Sequence, residues 1–196
     1  MEKRLLLTLF VVAIFFNVPA AYAYMQVVSD EERGYASCFV YELQNEDGSR
    51  VVLPKRVDEA FDCPFMKPLL SPDQTLLLFS DEWGIKMYNF SRQKTALLLK
   101  LRHDKEGVSF TWSPQGSRVA CVITDQMNYP DKTKIFLFRQ AGTKFKLTKI
   151  VSRAVQFSCG SHCGAELPWF EDENTLRYIK YSPDFPEQQN LGIITF

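Results

Sequence analysis

The chain has two histidines, His103 and His162, in 196 residues, and it contains no Gly-x-Ser-x-Gly segment. Without that elbow nothing in the sequence supports a hydrolase triad. Positive charge is not in surplus: 23 basic side chains are balanced by 23 acidic ones, and no run of lysine or arginine exceeds two. Such a balance leaves no electrostatic footprint for nucleic acid or an anionic membrane surface, so neither is expected as a partner. Beyond the N-terminal segment, no apolar stretch approaches the roughly 20 residues of a spanning helix. Glycine is scarce, at nine residues, while 46% of the chain is hydrophobic and 14% aromatic. That composition buries a substantial core and fits one domain.

What is present begins at the N-terminus. Lys3 and Arg4 form a positive region, Leu5 to Phe16 is an unbroken apolar run, and the segment ends in Ala21-Tyr22-Ala23. These are the three parts of a secretory signal, with cleavage expected between Ala23 and Tyr24. The run is short for a bilayer anchor, so residues 1–23 read as a removable signal; a retained segment would tether the same domain. Removing Glu2, Lys3 and Arg4 leaves 21 basic and 22 acidic side chains on residues 24–196, a net charge of −1. The expected location is periplasmic or secreted, with no membrane span after cleavage.

All five cysteines lie after the signal and would meet an oxidising compartment, where disulfides persist. Cys159 and Cys163 flank a flexible Gly160-Ser161-His162 turn and are the first expected pair; Cys38 with Cys63 follows by elimination. Cys121 is left over and reads as a small buried apolar residue. Cys159, His162 and Cys163 also place three metal-ligand types within five residues, but a zinc site would need a fourth ligand from elsewhere. The structural disulfide is the reading preferred here, and no cofactor is expected.

The longest-range pattern is an echo. Leu70-Ser71-Pro72-Asp73-Gln74-Thr75 and the apolar run after it return 42 residues later as Trp112-Ser113-Pro114-Gln115-Gly116-Ser117 and its own apolar run. A turn cluster feeding a short apolar run at such a period marks a stacked β architecture. Strand-like runs fill the rest of the chain. Ser37 to Leu43 and Arg50 to Leu53 read as a hairpin around Asn45-Glu46-Asp47-Gly48. Three strands run from Thr75 to Leu101, four from Val108 to Val151, and a last set includes Thr175 to Tyr181 and Gly192 to Phe196.

Trp112-Ser113-Pro114-Gln115-Gly116-Ser117-Arg118-Val119-Ala120 resembles the W-S-P-D-G-x-x-L-A repeat of the WD40-like propellers, found in the C-terminal domain of TolB and in prolyl-oligopeptidase-type peptidases. The resemblance implies an all-β fold, a small or incomplete β-propeller of about four meander units. It is either a four-bladed ring or an open partial propeller. Tyr24 to Val28 would close the ring by adding a strand to the last unit. The first echo departs from the pattern, with Gln74 where glycine is expected and Leu70 where tryptophan is.

Function then falls to the loops. Met127-Asn128-Tyr129-Pro130, bracketed by Asp125 and Asp131, is the best candidate for a partner contact, with an insertion covering a blade edge as the plainer alternative. Glu171-Asp172-Glu173 reads as a solvated turn, and the Asn89-Phe90-Ser91 sequon as chance. The expected role is a non-catalytic, extracytoplasmic binding or assembly module for a protein or peptide. Self-association is open to it if the propeller is incomplete. The alternative is an enzyme or accessory subunit with a redox or metal role at Cys159, His162 and Cys163.

Overall fold

In the computed structural model the described residues are 24–29, 39–62, 64, 66–102, 106–125, 132–155, 168–181 and 189–196. Leu77, Leu78 and Phe79 are each at most 1% exposed. A strand can bury successive side chains only when both of its faces are covered. That strand, β4 (Leu76–Asp81), lies in a four-stranded antiparallel sheet with β3 (Leu69–Leu70), β5 (Gly84–Asn89) and β6 (Lys94–Lys100), in meander order. Its neighbour in the chain repeats the plan with β7 (Glu106–Trp112), β8 (Arg118–Asp125), β9 (Lys132–Ala141) and β10 (Lys144–Val155). A two-stranded sheet, β1 (Met25–Ser29) with β2 (Tyr41–Asn45), precedes them, and a three-stranded sheet, β11 (Trp169–Phe170), β12 (Thr175–Tyr181) and β13 (Gln189–Thr195), follows.

The sheets stack in chain order. Met25 and Leu43 of the first pack with Leu77, Phe79 and Tyr88 of the second. On its other face the second sheet presents Leu78, Ile85 and Met87 to Phe110, Val119, Cys121 and Phe138 of the third. The third in turn sets Ala120, Val122, Ile135 and Leu137 against Leu176, Tyr178 and Ile194 of the fourth. Alternation along β4 and β8 therefore feeds two different cores from one strand. Among the described residues no core cluster joins the first sheet to the fourth. Among the described residues the fold is an all-β open partial propeller of four antiparallel sheets, and these residues do not close the four-bladed ring expected as one alternative.

Two expectations at the start of the domain are corrected. Met25–Ser29 does not extend the last sheet but runs antiparallel to Tyr41–Asn45 over five residue pairs. The reason is local satisfaction: Met25 and Val27 turn into the first core, and the Met25 amide donates to Oε1 of Gln74 at 2.8 Å. The hairpin expected between Ser37–Leu43 and Arg50–Leu53 shrinks to a Gln44–Arg50 bridge and a Val51 amide bonded to the Leu43 carbonyl at 2.7 Å. After it the chain turns into a short helix, α1 (Lys55–Asp58), and a 3₁₀ turn (Glu59–Phe61). Val57, Ala60 and Phe61 from this segment enter the first core.

The repeated Ser-Pro turns are built alike. In each the serine carbonyl accepts from the residue three positions on, Gln74 at 2.8 Å and Gly116 at 2.9 Å. In each the serine hydroxyl accepts from the first amide of the next strand, Leu76 or Arg118, at 3.0 Å. The fourth turn position requires a left-handed backbone, φ 73° at Gly116 and φ 58° at Gln74. Glutamine tolerates the strain there while its side chain supplies the acceptor for Met25. Gln74→Ala keeps the strained backbone and loses that acceptor, whereas Gln74→Gly loses only the acceptor. Chemical denaturation should find the glycine variant more stable than the alanine variant by about 1 kcal/mol, and equal stabilities would disprove the strain.

Candidate functional site

Asp81-Glu82-Trp83-Gly84 joins β4 to β5, and its aspartate does most of the joining. Asp81 Oδ1 accepts from the amides of Trp83 at 3.0 Å and Gly84 at 3.2 Å, and Oδ2 accepts from Lys86 Nζ. The Trp83 carbonyl accepts from the Leu101 amide at 3.1 Å. Backbone groups on both sides of Trp83 are thus fixed while its side chain stays out: the residue is 62% exposed. An indole on a rigid turn loses little freedom on contact with a partner, which is why aromatic residues so placed dominate binding surfaces.

Opposite this turn lies the segment of α1 and the 3₁₀ turn, held by Val57 and Phe61, which are 2% and 1% exposed. Between the two walls is an open cleft of about 760 Å³, lined by Arg56, Glu59 and Asp62 on one side and Glu82, Trp83 and Lys86 on the other. Lys86 is paired with Asp81, so its charge is already answered. The cleft combines an exposed aromatic plane with an excess of carboxylates, the elements of a polar recognition surface; the described residues place no nucleophile beside a base within it.

A second constellation is structural. Glu173, at the turn between β11 and β12, reaches back to the third sheet's Ser-Pro turn. Its Oε1 accepts from Ser113 Oγ at 2.8 Å and from Ser117 Oγ, and its Oε2 accepts from the Gln115 amide at 2.8 Å. Burial pushes its carboxyl upward, but donation from Ser117, Gln115 and Ser113 and the nearby Arg118 outweigh that and hold it below its ordinary value of 4.5. In the second sheet the same work is done from within the turn, where Asp73 Oδ1 accepts from Ser71 Oγ at 2.6 Å and the Thr75 amide at 3.1 Å. Gln115 occupies that position in the third sheet, and the missing carboxylate comes from the neighbouring sheet instead. Arg118, 8% exposed, completes the joint: its guanidinium donates to Asn174 Oδ1 at 2.8 Å and lies 4.5 Å from the centre of the Phe196 ring. The solvated-turn reading therefore fails at Glu173, while Glu171 and Asp172 are exposed as expected.

The other expected sites distribute unevenly. Cys121 is fully buried and free, and burial raises its thiol pKa, as its apolar reading requires. Tyr24 is 59% exposed at the head of β1. Ala23 and residues 1–22, the contact loop Met127, Asn128, Tyr129 and Pro130, and Cys38, Cys63, Cys159, His162 and Cys163 lie outside the described residues. Asn89 ends β5 with its side-chain oxygen accepting from Ser91 Oγ at 2.9 Å and the Arg92 amide at 2.8 Å. The sequence signal for Trp83 was confined to a turn cluster; its exposure and the facing helix are tertiary facts. Among the described residues no group of three or more histidine, cysteine or acidic side chains is placed to hold a metal, and no helix is long and apolar enough to cross a membrane.

No protein-family model matches the chain, and no curated protein matches it. Among solved structures it is similar to one assigned as TolB from Agrobacterium tumefaciens, at 16% identity and a TM-score of 0.38, over 81% of this chain and 50% of that one. The chain spans about half the length of that structure.

Proposed function

We propose that this chain is a non-catalytic, extracytoplasmic protein-binding module that meets its partner at the cleft between the helical segment 55–61 and the β4–β5 turn of the second sheet. The observation that supports this reading is Trp83: a large side chain, 62% exposed, on a turn whose backbone is fixed beside an open cleft. Exposed aromatics of this kind are the residues that carry interface energy. The signal-like residues 1–23 support delivery out of the cytosol, where such a surface would find its partner.

A photo-crosslinking amino acid in place of Trp83 tests the reading in cells that export the protein. It should give a discrete adduct with another protein. The same residue in place of Lys146, on the exposed outer strand of the third sheet, should give none. Adducts from both positions, or from neither, count against the proposal. Replacing Met127 to Pro130 by a short Gly/Ser turn should leave the adduct at position 83 unchanged.

A further inference from the structure

The outer edges of the sheets differ in charge. β6, the last strand of the second sheet, carries Lys94 and Lys100, and β10, the last of the third, carries Lys144, Lys146 and Lys149. Lysines on an edge strand oppose its pairing with another edge. The fourth sheet ends instead at β13, Gln189-Asn190-Leu191-Gly192-Ile193-Ile194-Thr195, which has neither a charged residue nor a proline, and no described strand pairs with its far side. Its register with β12 fixes which backbone groups face that side. The Phe196 amide donates to the Asn174 carbonyl at 3.0 Å, so by the alternation of antiparallel pairs Asn190, Gly192 and Ile194 bond to β12, while Gln189, Leu191, Ile193 and Thr195 turn their N–H and C=O groups outward. Leu191 and Ile193 are also 49% and 54% exposed, whereas Gly192 lies under the Tyr178 ring and Ile194 packs in the core with Leu176. One strand thus offers unpaired backbone groups and apolar side chains together.

We propose that β13 pairs antiparallel with β13 of a second copy of this chain, across a two-fold axis at Gly192. In that register Gln189 meets Thr195 of the second copy and Leu191 meets its Ile193, and the reciprocal pairs follow from the symmetry. These are the positions whose amides and carbonyls point outward, so each pair exchanges both of its hydrogen bonds. Leu191 against Ile193 also covers apolar surface on either side of the axis. A two-fold contact must be complementary to itself, and β13 meets that condition because its pairing opposes no like charges. β6 paired with itself in the same way would set Lys94 against Lys100. The two fourth sheets become one continuous sheet, and the cleft beside Trp83 takes no part.

Sedimentation of the chain, purified from cells that export it, tests the pairing between about 1 μM and 1 mM, the range in which small interfaces assemble. The chain should pass from monomer to dimer across it. Leu191→Lys and Ile193→Glu should each weaken the dimer about ten-fold, since either change falls at two symmetry-related pairs. An equimolar mixture of the two variants should recover association as a mixed dimer, because the new positive group of one then faces the new negative group of the other. Leu147→Lys, at a position on the outer strand of the third sheet that is 46% exposed, should leave the dimer unchanged. Hydrogen exchange on the unsubstituted chain gives a reading that needs no variant: the amides of Leu191, Ile193 and Thr195 should exchange fast in the monomer and slowly in the dimer, while those of Gly192 and Ile194 are protected in both. This reading decides the matter if either variant fails to fold. A monomer throughout, or a dimer that both single variants leave intact, would overturn the proposal. So would failure of the mixture to recover, which would mean that β13 meets a different surface of the second copy.

Discussion

Glu173→Ala should lower the stability of the folded chain by about 2–3 kcal/mol, a drop in Tm of roughly 4–12 °C for a domain of this size. The substitution removes one carboxylate that accepts from two hydroxyls and an amide of the preceding sheet. It takes the acceptor away from the Ser113 and Ser117 hydroxyls and the Gln115 amide at once. Because the folded state holds the Glu173 carboxyl below 4.5, its contribution is present above that value and is lost as pH falls through the lower, folded pKa. The wild type and Glu173→Ala should therefore differ most near neutral pH and converge in acid. Urea melts at pH 7 and pH 3 check both parts. A difference under about 0.5 kcal/mol at pH 7, or one that grows in acid, would show that the turn is held by something else.

Gly84→Ala is the second large effect. A Cβ at this position would sit 2.1 Å from the Leu99 carbonyl oxygen and 2.9 Å from Leu97 Cδ1, on a backbone with φ +155°. The first of these atoms belongs to the paired strand β6 and cannot swing away, so β5 and β6 must separate where their register already shifts, between Ile85 and Lys86. The expected cost is about 3 kcal/mol or more, within the range of overpacking with backbone strain. It should also disorder the Trp83 turn. Thermal melts and the indole resonance read the two consequences separately. A variant within 1 kcal/mol of wild type would mean that the strands part more easily than their packing indicates.

The strands around the echo were legible because their signal is local. Leu76-Leu77-Leu78-Phe79 is a run that only a doubly covered strand can use, and the Ser-Pro turn before it fixes where it starts. The same logic placed Cys121 inside. What could not be read were the relations between sequence-distant groups. That Gln115 lacks a carboxylate is visible in the chain, but that Glu173 supplies it is a fact of stacking, 58 residues away. The pairing of β1 went astray for a related reason. A short strand of mixed residues has many possible partners, and its choice was settled by one amide finding Gln74 and two side chains finding the first core. Trp83 was hidden in the same way, since a tryptophan in a turn reads identically whether it is covered or bare.

An unclosed series of sheets has termini, as a ring does not, and its cohesion is a chain of pairwise joints. Strands at the outer sheets have a single flank to lose, so opening should begin there and travel inward, leaving β4 and β8 as the last amides to exchange with solvent. The joint sealed by Glu173 governs one end of that progression. The cleft lies towards the other end, between the helical segment and the second sheet, so an occupant would act as a clasp on those two and leave the exchange of β11 to β13 untouched.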